Sequence, residues 1–275
     1  MARIEAATQA GSALAGADAG KEADPLFNLS LAKGLEVLRA FDAAHRTMTL
    51  SEIAERTGMS RASAQRTVHT LSVLGYVGKQ AATRRFQLLP AIMDIGFNYV
   101  AGHPLVQTAS PYLAQLANTS GETAHLTEAA GSDMLYIAQR MTSQFIPVLT
   151  PVGMRIPMYC TSSGRAWLSC LSEAEVREHL QATPRPARTP QTLTSLRAIE
   201  ARIATCRRVG YAHNVEELFR GDMGIAAPIV DKSGQPRGVV HVSPPTSRWT
   251  AAAAQKKLAP MVIDCARAIS AALAT

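Results

Sequence analysis

The 275-residue chain contains no CxxC pair, no run of 18 apolar residues and few aromatic side chains. Its four cysteines, Cys160, Cys170, Cys206 and Cys265, fit no zinc-ligand spacing, and a chain of this length forms a core without a disulfide framework. We therefore expect reduced, mostly buried thiols in a cytoplasmic protein, with neither a metal site nor a cofactor. The missing apolar run also argues against a membrane-spanning helix.

The N-terminal segment lacks the apolar core of a signal peptide and is dominated by Ala, Gly and Asp. Such a composition offers too little apolar surface to offset the entropy that is lost on ordering. We predict that residues 1–26 form a disordered tail and that the first folded domain begins at residue 27.

Acidic residues are absent between Glu55 and Asp94, although the whole chain has 21 of them against 28 Lys and Arg. Six cations lie in that acid-free window: Arg56, Arg61, Arg66, Lys79, Arg84 and Arg85. A surface that faces DNA needs this one-sidedness, because phosphates repel carboxylates and bound cations release counterions. The alternative is a solvated basic face without a partner. The helical spacing and the caps of the same region favour the DNA-facing interpretation.

Residues 27–89 show three helical patterns followed by two short strand patterns. The first helix has Ser30 as a candidate N-cap. Its predicted buried stripe consists of Leu31, Leu35, Leu38 and Phe41. In the second helix, Thr49 and Glu52 have the spacing of a capping box, and Gly58 stops the helix because it tolerates positive φ.

The third helix begins at Ser60, after a short turn. Its predicted buried stripe consists of Ala64, Val68, Leu71 and Leu74. Strand patterns at 76–79 and 84–88 flank a polar turn, so that residues 27–89 predict a winged helix-turn-helix domain.

In this motif the third helix enters the major groove by its N-terminal half. Arg and Gln side chains make bidentate contacts with base edges, whereas hydroxyls and the cations of the wing contact phosphates. We therefore expect double-stranded DNA as a partner. The predicted DNA-binding residues are Thr49, Ser60, Arg61, Ala62, Ser63, Gln65, Arg66, His69, Lys79, Arg84 and Arg85.

Residues 90–103 predict a linker helix, and residues 104–275 predict a second domain of the α+β class. Strand patterns occur at 123–130, 133–141 and 145–153, and the stretch 223–243 reads as a β-hairpin. Helical patterns lie around them at 104–120, 162–171, 172–181, 194–209 and 250–274. This second domain is predicted to bind an effector and to mediate oligomerisation.

From residue 28 onward the chain resembles the IclR family of bacterial transcriptional regulators. The segments that carry the resemblance include "SLAKGLEVLRAF", "LSEIAERTGMSRASAQRTVHTLSVLGYV", "VGMRIPMYCTSSGRAWLS" and "GYAHNVEELFRGDMGIAAPIVDKSGQPRGVVHVS". The resemblance implies a winged helix-turn-helix joined by a helix to a GAF/PAS-like effector domain, in which helices flank an antiparallel sheet. It also implies homodimers, often paired into homotetramers, on a palindromic operator.

Within the family, the chain looks most like the branch that regulates aromatic catabolism, whose usual effectors are protocatechuate, 4-hydroxybenzoate and β-ketoadipate. The effector-binding residues implied by the resemblance are Phe145, Val148, Ser162, Ser163, Asn214, Gly224, His241 and Ser243. The family's better-known small-acid binder has a carboxylate, a thiol and a serine where this chain has Asn214, Gly224 and His241. The chain is therefore not expected to share that ligand.

The chemistry of the second domain also favours an acidic ligand. The amides of Ser162 and Ser163, at the start of a helix, are expected to be free donors for an anion. His241 could add a donor or a charge, or be a satisfied histidine of the sheet, and His125 is equally open. Arg140 and Arg155 could bind a carboxylate, although a solvated arginine is the more ordinary interpretation.

The rival class is an enzyme that acts on a small organic acid and carries a DNA-binding head. The sequence contains no G-x-S-x-G elbow, no phosphate-binding glycine loop and no paired-carboxylate motif. A third class, a DNA-architectural protein without a ligand, fits poorly with so large and varied a second domain. We therefore expect a regulator that is not an enzyme.

Overall fold

The computed structural model describes residues 24–144 and 148–273 of the chain. They form two compact units, with the division between Tyr99 and Val100. Residues 1–23 of the predicted disordered tail lie outside the described residues.

The N-terminal unit is a helix-turn-helix followed by a two-stranded antiparallel hairpin, as predicted. Its elements are α1 (Leu29–Arg39), α2 (Leu50–Thr57), α3 (Arg61–Val73), β1 (Val77–Lys79) and β2 (Phe86–Leu88). The capping box of α2 is present: Thr49 Oγ1 accepts from the Glu52 amide, and the Glu52 carboxylate accepts from the Thr49 amide. Gly58 ends α2 at φ 65°, a left-handed conformation that costs glycine nothing sterically.

The core of this unit lies between the three helices and the hairpin. Its buried apolar residues include Val37, Phe41, Met48, Ile53, Ala64, Val68, Leu71 and Val77. Met48 also exchanges backbone hydrogen bonds with Phe86, which ties the hairpin to the segment before α2. The hairpin is thereby held in a fixed position beside α2 and α3.

Several sequence predictions for these helices are wrong. Asn28, rather than Ser30, caps α1 by accepting a hydrogen bond from the Leu31 amide. Leu31 and Leu35 are exposed, because the buried residues of α1 lie in its C-terminal half. Leu74 is exposed as well, since it follows the last turn of α3.

A helix, α4 (Ile92–Ala101), runs through the segment predicted as a linker. None of its residues is buried. Its exposed large side chains are Met93, Ile95, Phe97 and Tyr99. So much exposed apolar surface on one short helix marks a place where another surface can bind.

The C-terminal unit is built on a six-stranded sheet in which all neighbouring strands are antiparallel. Its strands are β3 (Ala124–Ala130), β4 (Asp133–Arg140), β5 (Arg155–Pro157), β6 (Ala212–Val215), β7 (Met223–Val230) and β8 (Pro236–Val242). They lie in the order β5-β4-β3-β8-β7-β6. Its helices are α5 (Pro104–Ser120), α6 (Ser162–Leu168), α7 (Glu173–Ala182), α8 (Leu196–Val209) and α9 (Ala251–Leu273).

Helices cover both faces of this sheet, which confirms the predicted α+β architecture. On one face, α5 and α9 pack against apolar side chains that include Leu126 and Val240. On the other face, α6 and α8 pack against residues that include Tyr136 and Val239. Side chains alternate between the faces along each strand, so the residues next to Leu126 and Val240 point to the α6 side.

The structure differs from the predicted strands in two places. Residues 148–153, the described part of the predicted strand 145–153, are irregular, and only the short β5 follows them. Strand β6 was not predicted, because four residues beside a glycine give too short an alternation to detect. Within the described ranges, every helix is too short or too polar to cross a bilayer.

Candidate DNA-binding surface and effector site

Helix α3 presents a polar outer face above a packed apolar one. Ser60 caps the helix, with its hydroxyl accepting from the Ser63 amide at 3.2 Å, while Ala64, Val68 and Leu71 anchor the buried face. The exposed residues of the outer face are Arg61, Ala62, Gln65, Arg66 and His69, and Ser63 is half-buried. In the described part of the chain, the side chains of Arg61 and Gln65 bind no other residue.

The tip of the hairpin presents one exposed cation, Arg84. Its backbone is left-handed, with φ 57°, which is uncommon for a residue other than glycine or asparagine. Lys79 is also exposed, with its Nζ 5.5 Å from the centre of the Phe86 ring. Both cations thus lie on the surface of the hairpin, exposed to solvent.

Arg85, which was predicted to contact DNA, is bound within the unit. It donates to Glu52 Oε2 at 2.6 Å, to Thr47 Oγ1 at 3.1 Å and to the Thr47 carbonyl at 3.0 Å. The hydrogen bond from the Thr49 amide, together with that from Arg85, lowers the pKa of Glu52 to about 2. Thr49 caps α2, so its hydroxyl is engaged in the capping box as well.

Arg56 also binds internally, to Asp42 at 3.0 Å and to the Ala40 carbonyl at 3.1 Å. The charge pattern of the sequence did not separate such cations from those of the outer surface. In the structure, Arg56 and Arg85 bind acids and carbonyls of the same unit, whereas Arg61 and Arg84 are exposed.

In the C-terminal unit, the structure brings Ser162, Asn214 and Gly224 together. Asn214 Oδ1 accepts from the Ser162 amide at 3.0 Å, and Gly224 faces Asn214 across the β6–β7 ladder. A Cβ at position 224 would overlap both Ser162 Oγ and Asn214 Oδ1, so glycine is required for this close approach. All three residues are buried.

This arrangement corrects the expectation of a free Ser162 amide at the start of α6. The Ser162 amide is bound by Asn214, and the Gly164 amide donates to Thr161 Oγ1 at 3.1 Å. The Ser163 hydroxyl forms a short hydrogen bond with Thr127 Oγ1 of β3. The Ser162 amide, the Gly164 amide and the Ser163 hydroxyl are thus already bound by protein groups.

His241 lies beside His125 on neighbouring strands of the sheet. The two residues are register partners of β8 and β3, and their rings stack at 4.7 Å between centres. Tyr136 of β4 meets both rings edge-on, and its Oη lies 3.3 Å from His241 Nε2. The sequence left His125 open and gave no indication of Tyr136.

Burial keeps both histidines neutral. It lowers the pKa of His125 to about 3 and the pKa of His241 well below its usual value, with the neighbouring His125 adding to the second shift. Burial also raises the pKa of the Tyr136 phenol above its ordinary range, with the Asp222 carboxyl contributing. Burial raises the pKa of Asp222 to about 7, although part of that residue remains exposed to solvent.

The remaining predicted effector residues are Phe145, Val148 and Ser243. Val148 and Ser243 are half-buried, and Phe145 lies outside the described residues. Arg140 donates to Ser110 Oγ at 2.6 Å, and Arg155 to the Ala130 carbonyl at 2.7 Å. Both arginines thus follow the ordinary interpretation, bound or solvated away from the histidine pair.

A buried ion pair between α6 and the segment after β6 was missed by the sequence analysis. Arg165 is fully buried, and its two terminal nitrogens bind the two carboxylate oxygens of Glu217 at 2.6 Å each. Arg165 Nε also donates to the Tyr159 carbonyl at 3.1 Å. The residues are 52 positions apart, so no local pattern could have paired them.

The Cys160 side chain is buried just before the start of α6. Burial raises the pKa of Cys160 to about 12, which keeps its thiol protonated. Across residues 24–144 and 148–273, histidines, cysteines and carboxylates nowhere gather in threes that could hold a metal ion.

Comparison with known proteins supports the assignment of both units. The family model described as the IclR helix-turn-helix domain matches residues 30–81, and the model described as bacterial transcriptional regulator IclR C-terminal matches residues 97–271. The Pca regulon regulatory protein of Pseudomonas putida is 36% identical over 245 residues, which cover 89% of this chain and 84% of that protein.

Solved structures agree as well. An IclR family transcriptional regulator from Brucella abortus matches with a TM-score of 0.78 at 26% identity, covering 90% of this chain and 94% of that one. An IclR homolog from Microbacterium hydrocarbonoxydans, solved as a complex with 4-hydroxybenzoate, has the same fold, with a TM-score of 0.73 at 22% identity over 89% of this chain and 98% of that one. This chain belongs to the IclR family of bacterial transcriptional regulators.

Proposed function

We propose that this protein regulates transcription by binding an operator through α3 and the hairpin, under the control of an aromatic or dicarboxylic acid. The observation that carries the DNA-binding part is the outer face of α3, where Arg61, Gln65, Arg66 and His69 are exposed above a well-packed core. A helix that is anchored by its apolar side can place such a face in the major groove without rearrangement.

The contacts within the N-terminal unit divide the candidate residues by role. Arg61 and Gln65, near the start of α3, are proposed to read base edges, because Arg pairs with guanine and Gln with adenine bidentately. Lys79 and Arg84 are proposed to bind phosphates. Arg85 holds the hairpin against α2 through Glu52, so its contribution to DNA binding is indirect.

The effector is proposed to bind on the α6 side of the sheet, beside His241 and the Ser162–Asn214–Gly224 contact. Polar side chains buried together in this way are an ordinary feature of a ligand site. The likeness to the Pca regulon regulatory protein and the 4-hydroxybenzoate complex of the Microbacterium homolog support an aromatic acid. Protocatechuate and 4-hydroxybenzoate are therefore the first effectors to test.

We propose that the protein works as a homodimer, or as a pair of dimers, on a palindromic operator. Exposed apolar side chains on α1 and α4, among them Leu31, Leu35, Ile95 and Phe97, supply surface for a second copy. Half-sites about 34 Å apart would match two α3 helices one turn of DNA apart. Acting on chromosomal DNA would place the protein in the cytoplasm.

The proposed mechanism is a shift between two arrangements of the dimer. Helix α4 carries the chain from the DNA-binding unit into the effector unit. Ligand binding that favours one arrangement would alter the spacing of the two α3 helices, and a coupling of about 1–3 kcal/mol is enough to change operator occupancy.

Alanine variants of α3 test the DNA-binding assignment. Gln65→Ala should relax the choice of sequence at individual base pairs, at a cost of about 1–3 kcal/mol on the cognate site only. The measurement is fluorescence anisotropy on a cognate and on a scrambled duplex at fixed salt. Equal loss of affinity for the two duplexes would contradict a base-reading role. In a separate activity assay, turnover of an added acid would favour an enzyme.

A further inference from the structure

The histidine pair of the effector unit contains two buried polar atoms that bind nothing. Within the described part of the chain, His125 Nδ1 and His241 Nδ1 are both shielded from solvent without a hydrogen-bond partner. Buried polar atoms are nearly always satisfied, so two orphaned nitrogens on stacked rings require an explanation. Hydrogen bonding to a bound ligand would supply one.

The groups around the histidine pair determine which interactions a ligand can make there. Tyr136 of β4 contacts both rings, and the Asp222 carboxyl, just before β7, acts on the Tyr136 phenol. Helix α6 packs on the same side of the sheet, where the Ser163 hydroxyl binds Thr127 of β3. Arg165 of α6 is paired with Glu217. Arg140 and Arg155 donate to Ser110 and Ala130.

An anion that enters this region would face two neutral imidazoles. Burying a carboxylate without a cation is strongly unfavourable, because the charge loses its hydration. One proton on the imidazole pair removes the problem: a protonated ring donates from both nitrogens and forms a charge-assisted hydrogen bond with the carboxylate. Stacking at 4.7 Å opposes a second proton, since two like charges would then be in contact.

We propose that an organic acid binds against the His125–His241 pair as a carboxylate and that the pair takes up one proton from solution in the same step. The inference rests on the proposed effector site and adds its regulation: binding consumes a proton, so the response to the acid depends on pH. The balance is simple. The carboxylate and one solvent proton enter, one imidazole nitrogen gains an N–H bond, and no other bond is made or broken.

The sign of the effect follows from the two states of the pair. In the free protein burial lowers the pKa of His125 to about 3, and in the complex the carboxylate raises the pKa of the pair. Between those pKa values the complex holds one more proton than the free protein. The dissociation constant should therefore rise about tenfold for each pH unit, until the pKa of the complex is passed.

Isothermal titration calorimetry with 4-hydroxybenzoate tests this proposal directly. The same titration in buffers of different ionisation enthalpy should give an uptake of about one proton per protomer near pH 7. The neutral analogue 4-hydroxybenzamide should bind without proton uptake and without the pH dependence. This comparison needs no variant, so it does not depend on whether a substituted site folds.

Variants then locate the proton. His241→Gln and His125→Gln should each reduce the uptake by at least half. His179→Gln should leave it intact, because it changes a half-buried histidine of α7, outside the pair, whose pKa burial also lowers. Asp222→Asn is the decisive alternative, since its carboxyl also titrates in a buried setting. Uptake that survives in both histidine variants and disappears in Asp222→Asn would overturn the proposal.

The outcomes separate this inference from the function on which it rests. Binding of 4-hydroxybenzoate without proton uptake would overturn the inference and leave the effector proposal standing. Failure of 4-hydroxybenzoate, protocatechuate and β-ketoadipate to bind at all would overturn both.

Discussion

The buried Arg165–Glu217 pair makes a strong prediction about the stability of the effector unit. The variant Glu217→Gln leaves the Arg165 guanidinium charged and fully buried beside a neutral amide. Removing one partner of a buried pair costs about 3–5 kcal/mol, because the remaining charge is uncompensated. Since the introduced amide keeps part of the hydrogen bonding, we expect about 3 kcal/mol, or a melting temperature lower by about 6–12 °C.

Tryptophan fluorescence during urea unfolding measures this loss in the right part of the molecule. The chain has two tryptophans, and both Trp167 and Trp249 lie in the effector unit. Urea is preferred because guanidinium would screen the ion pair. Glu200→Gln is the matched control: its pair with Arg177 is solvent-exposed and 3.4 Å long, so its removal should cost about 1 kcal/mol or less. Equal losses in the two variants would refute the role given to the buried pair.

Three further predictions concern the DNA-binding unit, α6 and Asp222. Arg84→Asn, which suits the left-handed backbone at this position, should weaken binding to all duplexes alike and lower the salt slope by about 0.9 per protomer. Arg85→Gln should instead lower the melting temperature of the DNA-binding unit. Anisotropy measures the first effect and circular dichroism the second. Gly164→Ala should destabilise the effector unit by about 2 kcal/mol or more, because a Cβ there would overlap the Met158 backbone; a fluorescence midpoint equal to wild type would contradict this packing. Asp222 has a raised pKa of about 7, so the folded state holds an extra proton from about pH 4 to pH 7 and loses stability as pH rises across that window. Asp222→Asn should flatten this dependence, and an unchanged pH profile would count against it.

Local patterns in the sequence were sufficient for much of the fold. The capping box at Thr49, the left-handed Gly58 that ends α2 and the β7–β8 hairpin are all present. Each of these is decided by residues a few positions apart. The wrong predictions on α1 concern tertiary packing instead, since the exposure of Leu31 and Leu35 depends on which part of the helix the other helices contact.

The candidate site was harder to predict from the sequence for the same reason. The resemblance named Ser162, Asn214 and Gly224, which do meet, but the Ser162 amide, which was expected to be free, is bound by Asn214. The pairing of His125 with His241 depends on the β3–β8 register, and Tyr136 joins them from a third strand. Sequence alternation gives the face of each side chain, whereas the register between distant strands requires the folded sheet.

The most direct test of the whole account is anisotropy of the full-length protein on DNA from the region beside its own gene, at moderate salt, with and without 4-hydroxybenzoate or protocatechuate. We predict tight binding that a scrambled duplex cannot compete away, with an affinity that the acid changes by about fivefold or more. Equal affinity for the native and the scrambled duplex, unaffected by any of the acids, would contradict the account.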